Sequence, residues 1–240
     1  MDQFNSSWRF VFKNFKSLVS FGLPWLIFSI ISISFISDKL PQVQIDENLD
    51  INRLIEIYFQ WYEANALQLF IISQTINIMF IFFIASLAVQ FKNISDMGNA
   101  QSFFKVSKTI YLKIPYLFFA FFVTNILVQI GIMVLIFPGI YLFARLSLYP
   151  LYISLEHRGP IESLKCSWNA TDEFGSRLTQ YTLLFGFLLI LIILLTADLL
   201  ALSLLGAILV VPVILFEIII FSMALSYIYF SLYKYIKNKY

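Results

Sequence analysis

The feature that most constrains this chain is a pair of apolar stretches, each too long for a single helix across a lipid bilayer. The first runs from Ile114 to Leu155, and Arg145 is its only charged residue. A helix rises about 1.5 Å per residue and the hydrocarbon core is about 30 Å thick, so one crossing needs roughly 20 residues. The stretch therefore predicts two crossings, joined by a tight turn at the helix-breaking pair Pro138-Gly139.

The second stretch runs from Tyr181 to Tyr233 and carries only two charged residues, Asp198 and Glu217. The same comparison of length with bilayer thickness predicts two crossings here as well, joined by a turn near Leu202–Gly206. Two shorter apolar runs, 17–37 and 66–90, each predict one more crossing. The first of these is longer than a signal-peptide core and lacks a small-residue cleavage pattern after it, so we expect it to remain as a membrane anchor.

The amino-acid composition also indicates a chain that lies mostly within a membrane. Hydrophobic residues make up 60% of the 240 residues and charged residues 12%, whereas soluble domains have about 45–50% apolar and about 25% charged residues. A water-soluble domain could not cover that much apolar surface. The predicted fold is all-α: a polytopic transmembrane helical bundle of about six spans in three hairpins, forming one multi-pass domain over residues 1–240. The spans are predicted at about 17–37, 66–90, 114–137, 139–155, 181–201 and 207–232.

The distribution of Lys and Arg predicts the orientation, because basic residues near span ends are retained on the cytoplasmic side. In the six-span arrangement one side receives thirteen basic residues: Arg9, Lys13, Lys16, Lys92, Lys105, Lys108, Lys113, Arg158, Lys165, Arg177, Lys234, Lys237 and Lys239. The other side receives Lys39 and Arg53, and Arg145 completes the 16. We therefore expect both termini to be cytoplasmic.

Amphipathic segments are predicted before the odd-numbered spans, with apolar residues at helical spacing and charged residues on the opposite face. Their apolar positions are Phe4, Trp8, Val11, Phe12 and Phe15 in the first; Phe103, Val106 and Ile110 in the second; and Ile161, Leu164, Trp168 and Leu178 in the third, which begins at Pro160. The three segments suggest three copies of one unit. We expect them to anchor the protein at the interface, or to dock a partner.

Three charged residues inside the spans form a candidate intramembrane polar cluster: Arg145, Asp198 and Glu217. A charge near the bilayer centre costs about 2.5–3.5 kcal/mol on insertion scales, so such residues are usually paired or functional. An Arg145–Glu217 ion pair between the second and third hairpins is the structural interpretation. The functional one makes Glu217 a proton or cation carrier, or Arg145 a site for a lipid phosphate or carboxylate.

Four amides within the spans are further candidates. Gln74 with Asn77, and Asn125 with Gln129, stand three and four residues apart, so each pair shares a helix face. Amides in lipid seek polar partners, and the prediction is that they join helices through hydrogen bonds. The alternative is that they line a permeation path.

Catalysis, cofactors and metals are not expected. The chain lacks a nucleophile elbow, a zinc-protease motif and a glycine-rich phosphate loop, and Ser163, Ser167 and Cys166 are only weak candidates for a nucleophile. With one cysteine and one histidine, His157, neither an intramolecular disulfide nor a Cys/His metal site can form. A net charge of +2 without a basic patch argues against nucleic acid.

The segment 127–171 resembles the YciC-like uncharacterised family of bacterial inner-membrane proteins. The resemblance rests on LVQIGIM at 127–133, Pro138-Gly139-Ile140, and Pro150, Gly159, Ser163, Ser167 and Thr171. The Pro-Gly-Ile-Tyr block and the Ser-Leu-Lys-x-Ser-Trp run are also similar to the membrane domain of some bacterial glycerophosphodiester phosphodiesterases. Their catalytic barrel has no counterpart in this chain, so the resemblance implies a multi-pass inner-membrane protein without an assigned reaction.

From these observations we expect a structural or envelope-related protein that acts through contacts with membrane lipid, a membrane-protein partner or a second copy of itself. The alternative is a small solute or lipid transporter, or a channel-like protein, that uses the intramembrane polar cluster.

Overall fold

The computed structural model describes residues 2–41, 51–201 and 204–239. In these ranges the chain is helical, and the structure confirms an all-α polytopic bundle. The helices are α1 Asp2–Lys13, α2 Phe15–Ser37, α3 Ile51–Met97, α4 Phe103–Tyr111, α5 Ile114–Val134, α6 Ile136–Leu146, α7 Tyr149–Glu156, α8 Pro160–Ala170, α9 Gly175–Ala201 and α10 Leu204–Lys239.

Six helical segments in the described ranges are long and apolar enough to cross a membrane: α2, α3, α5, α6 together with α7, α9, and most of α10. The turn predicted near Leu202–Gly206 falls partly on residues 202 and 203, which lie outside the described ranges, whereas Gly206 already belongs to α10. The bundle thus has the six spans that hydropathy predicts.

The turn of the middle hairpin differs from the prediction. It lies at Leu135, whose extended backbone (φ −162°, ψ 151°) separates α5 from α6, and not at Pro138-Gly139. These two residues form the first turn of α6, where proline is tolerated because the N–H groups there have no helical acceptor. A Cβ added to Gly131 would lie 2.8 Å from the Cα of Gly139, so this glycine pair lets α5 and α6 approach closely.

Helix α3 is longer than the predicted 66–90 span. It has 47 residues, which corresponds to about 70 Å at 1.5 Å per residue. The polar residues of its first turns, such as Arg53, Glu56 and Glu63, continue the same helix instead of forming a separate loop. Its buried residues lie between Ile81 and Asn93, so the described packing of α3 in the bundle is made mainly by its second half.

Helix α10 packs at the centre of the bundle, against α9, α1, α2 and α3. Ile219 is fully buried and lies over Gly22 of α2, where an added Cβ would come within 3.0 Å of its side chain. Further along α10, the ring of Tyr227 stacks on Phe10 of α1 with centroids 4.0 Å apart. The core is therefore made of aromatic and branched side chains held around one helix.

Ion pairs gather the ends of several helices at one end of the bundle, which we call the basic end. Lys234 pairs with Asp96 at 3.7 Å, Lys237 with Glu156 at 2.8 Å, and Lys239 with Glu173 at 2.9 Å. The end of α10 thus meets the ends of α3 and α7 and the α8–α9 connection there. Because Gln3 of α1 and Tyr235 of α10 border one groove, the first turn of α1 and the last turns of α10 lie on the same side of the bundle.

The predicted amphipathic segments are helices α1, α4 and α8, and each packs against the bundle. In α4, Val106 and Ile110 are buried as predicted. In α8 the buried face is different: Ser163, Leu164 and Ser167 point inward, whereas Ile161 and Trp168 are 47% and 39% exposed. A face of small hydroxyl residues is buried here because it fits against a break between two helices.

Candidate functional site

Arg145 lies at the end of α6 and its side chain is 3% exposed. Its Nη2 donates to the backbone oxygen of Trp168 at 2.8 Å and to Oδ1 of Asp172 at 3.0 Å, and its Nη1 donates to the hydroxyl of Tyr141 at 3.1 Å. The guanidinium also lies 4.2 Å from the ring centroid of Trp168. These contacts stabilise a buried arginine, because its planar guanidinium can donate several hydrogen bonds and stack on an aromatic ring.

The predicted Arg145–Glu217 ion pair is therefore wrong. Arg145 pairs with Asp172, a residue between α8 and α9 that is 80% exposed. The prediction treated 139–155 as one span. Instead the helix breaks after Leu146, and the chain folds back through α7 and α8 so that Trp168 and Asp172 return to Arg145.

The break between α6 and α7 lies at Ser147 and Leu148, and Ser167 of α8 bridges it. Its hydroxyl donates to the backbone oxygen of Arg145 at 2.8 Å and accepts from the N–H of Leu148 at 3.1 Å. Thr171 places a second hydroxyl 3.1 Å from the same oxygen of Arg145. Side chains of α8 thus satisfy backbone groups that the break leaves without helical partners.

Sequence reasoning missed Trp168 and Asp172 as partners of Arg145. The spacing of Ser163, Ser167 and Thr171, each four residues from the next, is a signal that was available, because it places three hydroxyls on one face of a helix. All three residues are fully buried. The resemblance singles out the same three positions, and their burial gives them a packing role.

The other charged residues of the predicted cluster lie apart from Arg145. Oε1 of Glu217 on α10 accepts a hydrogen bond from the hydroxyl of Thr196 on α9 at 2.7 Å, whereas its buried Oε2 has no partner among the described residues. Asp198 is exposed. The three charges therefore do not form one cluster.

The four candidate amides do not join helices within the described part of the chain. Gln74 contacts Ser73 of its own helix at 3.4 Å, a marginal hydrogen bond. Asn77 is half-buried and Gln129 is exposed. Asn125 faces a cavity between helices, which makes it the one member of the set that borders a space for a ligand.

This cavity, which we call the central cavity, has a volume of about 140 Å³ and lies between α3, α5, the α6–α7 break and α10. Apolar side chains such as Phe80, Ile84 and Leu225 form most of its wall. Its lining residues with a hydroxyl or amide group are Thr124, Asn125, Ser147, Tyr149, Ser222, Ser226 and Tyr229, and none of its described lining residues is charged. It can accept an apolar group that carries an uncharged hydrogen-bonding function.

Two contacts join helices that border the central cavity to their neighbours. The hydroxyl of Tyr229 lies 2.7 Å from that of Thr182 on α9. At the start of α5, Nζ of Lys113 donates to the backbone oxygen of Ser154 on α7 at 2.6 Å. Loss of hydration lowers the pKa of Lys113 from its ordinary value, and the like charge of Lys92 lowers it further. The lysine thus ties α5 to α7 at the cost of partial burial.

A segment of this chain is similar to a curated bacterial membrane protein. Over 56 residues, 23% of the chain, it is 38% identical to the UPF0259 membrane protein plu2479 of Photorhabdus laumondii, and the match spans 22% of that relative's length. No family model matches the chain, and no solved structure matches it. The similarity supports the resemblance to an uncharacterised family of bacterial membrane proteins, and together with the apolar helices it makes this chain a multi-pass membrane protein.

Proposed function

We propose that this protein is a non-enzymatic component of a bacterial inner membrane that binds part of a membrane lipid in its central cavity. The YciC-like resemblance is part of this proposal, and so is the more distant likeness to the membrane domain of some glycerophosphodiester phosphodiesterases. The observation that carries the proposal is the chemistry of the cavity wall, which is apolar except for hydroxyl and amide groups.

The polar groups of the cavity are arranged for an amphipathic ligand. Ser222, Ser226 and Tyr229 follow one another at helical spacing on α10, so they share one face. Hydroxyl groups can donate to the ester carbonyl oxygens of a glycerolipid, and the apolar wall suits the adjoining acyl chain. The absence of charge in the described lining disfavours an ionic solute, since an ion needs a compensating partner away from water.

The size of the cavity limits what enters it. A cavity of roughly 150 Å³ accommodates a benzene-sized ligand, so a cavity of about 140 Å³ holds a segment of a lipid and not a whole molecule. Pockets for complete small ligands are usually about 300–1,000 Å³. This favours a lipid contact over passage of a solute through the bundle.

Lipid retention tests the proposal. Ser226→Leu should fill the cavity, and Ser226→Ala should remove one hydroxyl without filling it; Ser231→Leu on the same helix, outside the cavity lining, is the control. Native mass spectrometry of the purified full chain should show lipid retained by the wild type and Ser231→Leu, much less by Ser226→Leu, and an intermediate amount by Ser226→Ala. Equal retention in all four proteins would refute the proposal.

The inner-membrane location with cytoplasmic termini is proposed from the bias of thirteen basic residues on one side. It is supported by the position of the first turn of α1 and the last turns of α10 on one side of the bundle. Reporter fusions after Gly98, after Arg158 and at the C-terminus should all be cytoplasmic. A periplasmic signal from any one of them would contradict this orientation.

A second candidate function, a transporter that carries a proton or cation, is favoured by one observation. Glu217 places a carboxylate in a span with one oxygen bonded to Thr196 and the other without a described partner. Glu217→Gln should then abolish solute or proton flux in proteoliposomes, and Asp198→Asn should not. Unchanged flux with Glu217→Gln would rule out this carrier role.

A further inference from the structure

A groove at the basic end combines a cation with apolar and aromatic side chains. It lies between the first turns of α9 and the last turns of α10, has a volume of about 200 Å³, and is also bordered by Gln3 of α1. This groove is separate from the central cavity, with which it shares no lining residue. What it could bind does not depend on the function proposed above.

The floor of the groove is apolar and well packed. Leu178 is 2% exposed, Ile228 3% and Leu232 9%. Leu178 and Tyr181 on α9 stand three residues apart, as do Leu232 and Tyr235 on α10, so each helix places an aliphatic side chain beside a tyrosine. The ring of Phe174 contacts that of Tyr235 edge-on at 5.8 Å, which fixes the position of this tyrosine at the rim.

The rim of the groove carries the polar groups. Arg177 is exposed and, among the described residues, forms no ion pair or hydrogen bond. The neighbouring acidic residues are already engaged, since Asp172 pairs with Arg145 and Glu173 with Lys239. The guanidinium therefore presents donors that no described carboxylate uses, beside the tyrosines and the amide of Gln3.

We propose that this groove binds the headgroup of an anionic phospholipid, with Arg177 contacting the phosphate and the aromatic rings of the groove contacting the first part of an acyl chain. Arginine suits this role because its planar donors match phosphate oxygens in a bidentate contact. Tyrosines are favoured where one end of a site is apolar and the other is wet. Tyr235 is 56% exposed, and Phe174 and Tyr181 are half-buried, so a lipid would cover aromatic surface that a free phosphate would leave in water.

The test compares lipids and matched variants of the full chain in detergent micelles. Phosphatidylglycerol and phosphatidylcholine are titrated separately, inorganic phosphate forms a third arm, and binding is read from native mass spectrometry and from the unfolding temperature. The test variant is Arg177→Gln. The control is Arg9→Gln, which removes one positive charge from an exposed position on a different helix, α1. Both substitutions affect exposed side chains, and equal unfolding temperatures without added lipid establish that the variants fold.

We expect phosphatidylglycerol to bind the wild type more tightly than phosphatidylcholine, and Arg177→Gln to weaken that binding about tenfold, equivalent to roughly 1.4 kcal/mol. Arg9→Gln should stay within about twofold, and inorganic phosphate should not reproduce the stabilisation. An equal loss in both variants would overturn the site in favour of diffuse charge attraction. Equal stabilisation by inorganic phosphate would overturn its assignment to a lipid.

Discussion

Replacing Ser167 by Ala removes the hydroxyl that bridges the break between α6 and α7. The N–H of Leu148 would then have no acceptor within the described ranges, because the Ser167 hydroxyl is its only partner there. The backbone oxygen of Arg145 would keep the Thr171 hydroxyl at 3.1 Å. The substitution therefore leaves one buried donor, the N–H of Leu148, without a described acceptor.

The expected loss follows from that count. A buried donor left unsatisfied costs about 1–3 kcal/mol. On the scaling of soluble proteins of this size, each kcal/mol corresponds to roughly 2–4 °C in Tm. We therefore expect Ser167→Ala to lower the unfolding free energy by about 1–3 kcal/mol. Adding Thr171→Val should cost more than the two single changes summed, because Thr171 can no longer compensate at the oxygen of Arg145.

The assay is reversible unfolding in micelles, followed by circular dichroism and tryptophan fluorescence. Ser20→Ala is the matched control, because the Ser20 hydroxyl only donates to Ser17 of its own helix at 2.9 Å, and its loss should stay within about 0.5 kcal/mol. If Ser167→Ala and Ser20→Ala unfold alike, the hydroxyl bridge does not stabilise the break and the reasoning fails.

Three further changes test other contacts, each by the same unfolding measurement. Gly131→Ala should lower the unfolding free energy by about 1–3 kcal/mol, because its new Cβ would meet the backbone of Gly139 at 2.8 Å. The control is Gly186→Ala, whose Cβ would have nothing within 4 Å and which should be neutral or stabilise by up to about 1 kcal/mol. Similar effects of the two changes would contradict the close α5–α6 contact. Asp172→Asn should cost less than about 1 kcal/mol, since Asp172 is 80% exposed, and a loss as large as that of Ser167→Ala would show that this ion pair matters more than its exposure implies. The pKa of Lys113 is lowered in the folded state, so the folded chain binds that proton less tightly than the unfolded chain does. The stability of the wild type, relative to that of Lys113→Met, should therefore rise as pH increases from the folded pKa towards 10.5. Parallel pH profiles of the two proteins would contradict the lowered pKa.

The spans could be predicted from sequence because lipid imposes a length and a composition that any crossing must meet. The sequence predicts the middle hairpin turn at Pro138, three residues after its actual position at Leu135, because a proline inside a helix usually breaks it. In the first turn of a helix, however, the missing N–H of a proline costs no hydrogen bond. Hydropathy also could not show where α3 begins, since its polar first turns are helical as well.

The partner of Arg145 could not be predicted from sequence because it depends on the direction the chain takes after Leu146. Pro150 in the first turn of α7 was visible in the sequence, but prolines in spans are common and leave the geometry undetermined. The central cavity was equally hidden, because it arises where side chains of four different elements fail to fill the space between them. Sequence patterns indicate which faces are polar, and only packing decides which faces meet.

The 47 residues of α3 form one helix without an internal proline. Its length of about 70 Å exceeds twice the thickness of the hydrocarbon core of a bilayer, so even a strongly tilted α3 must project well into water. A helix without proline lacks the commonest site of a sharp kink. The direction in which the projecting half extends is therefore set by Ile81–Asn93, where α3 packs against its neighbours.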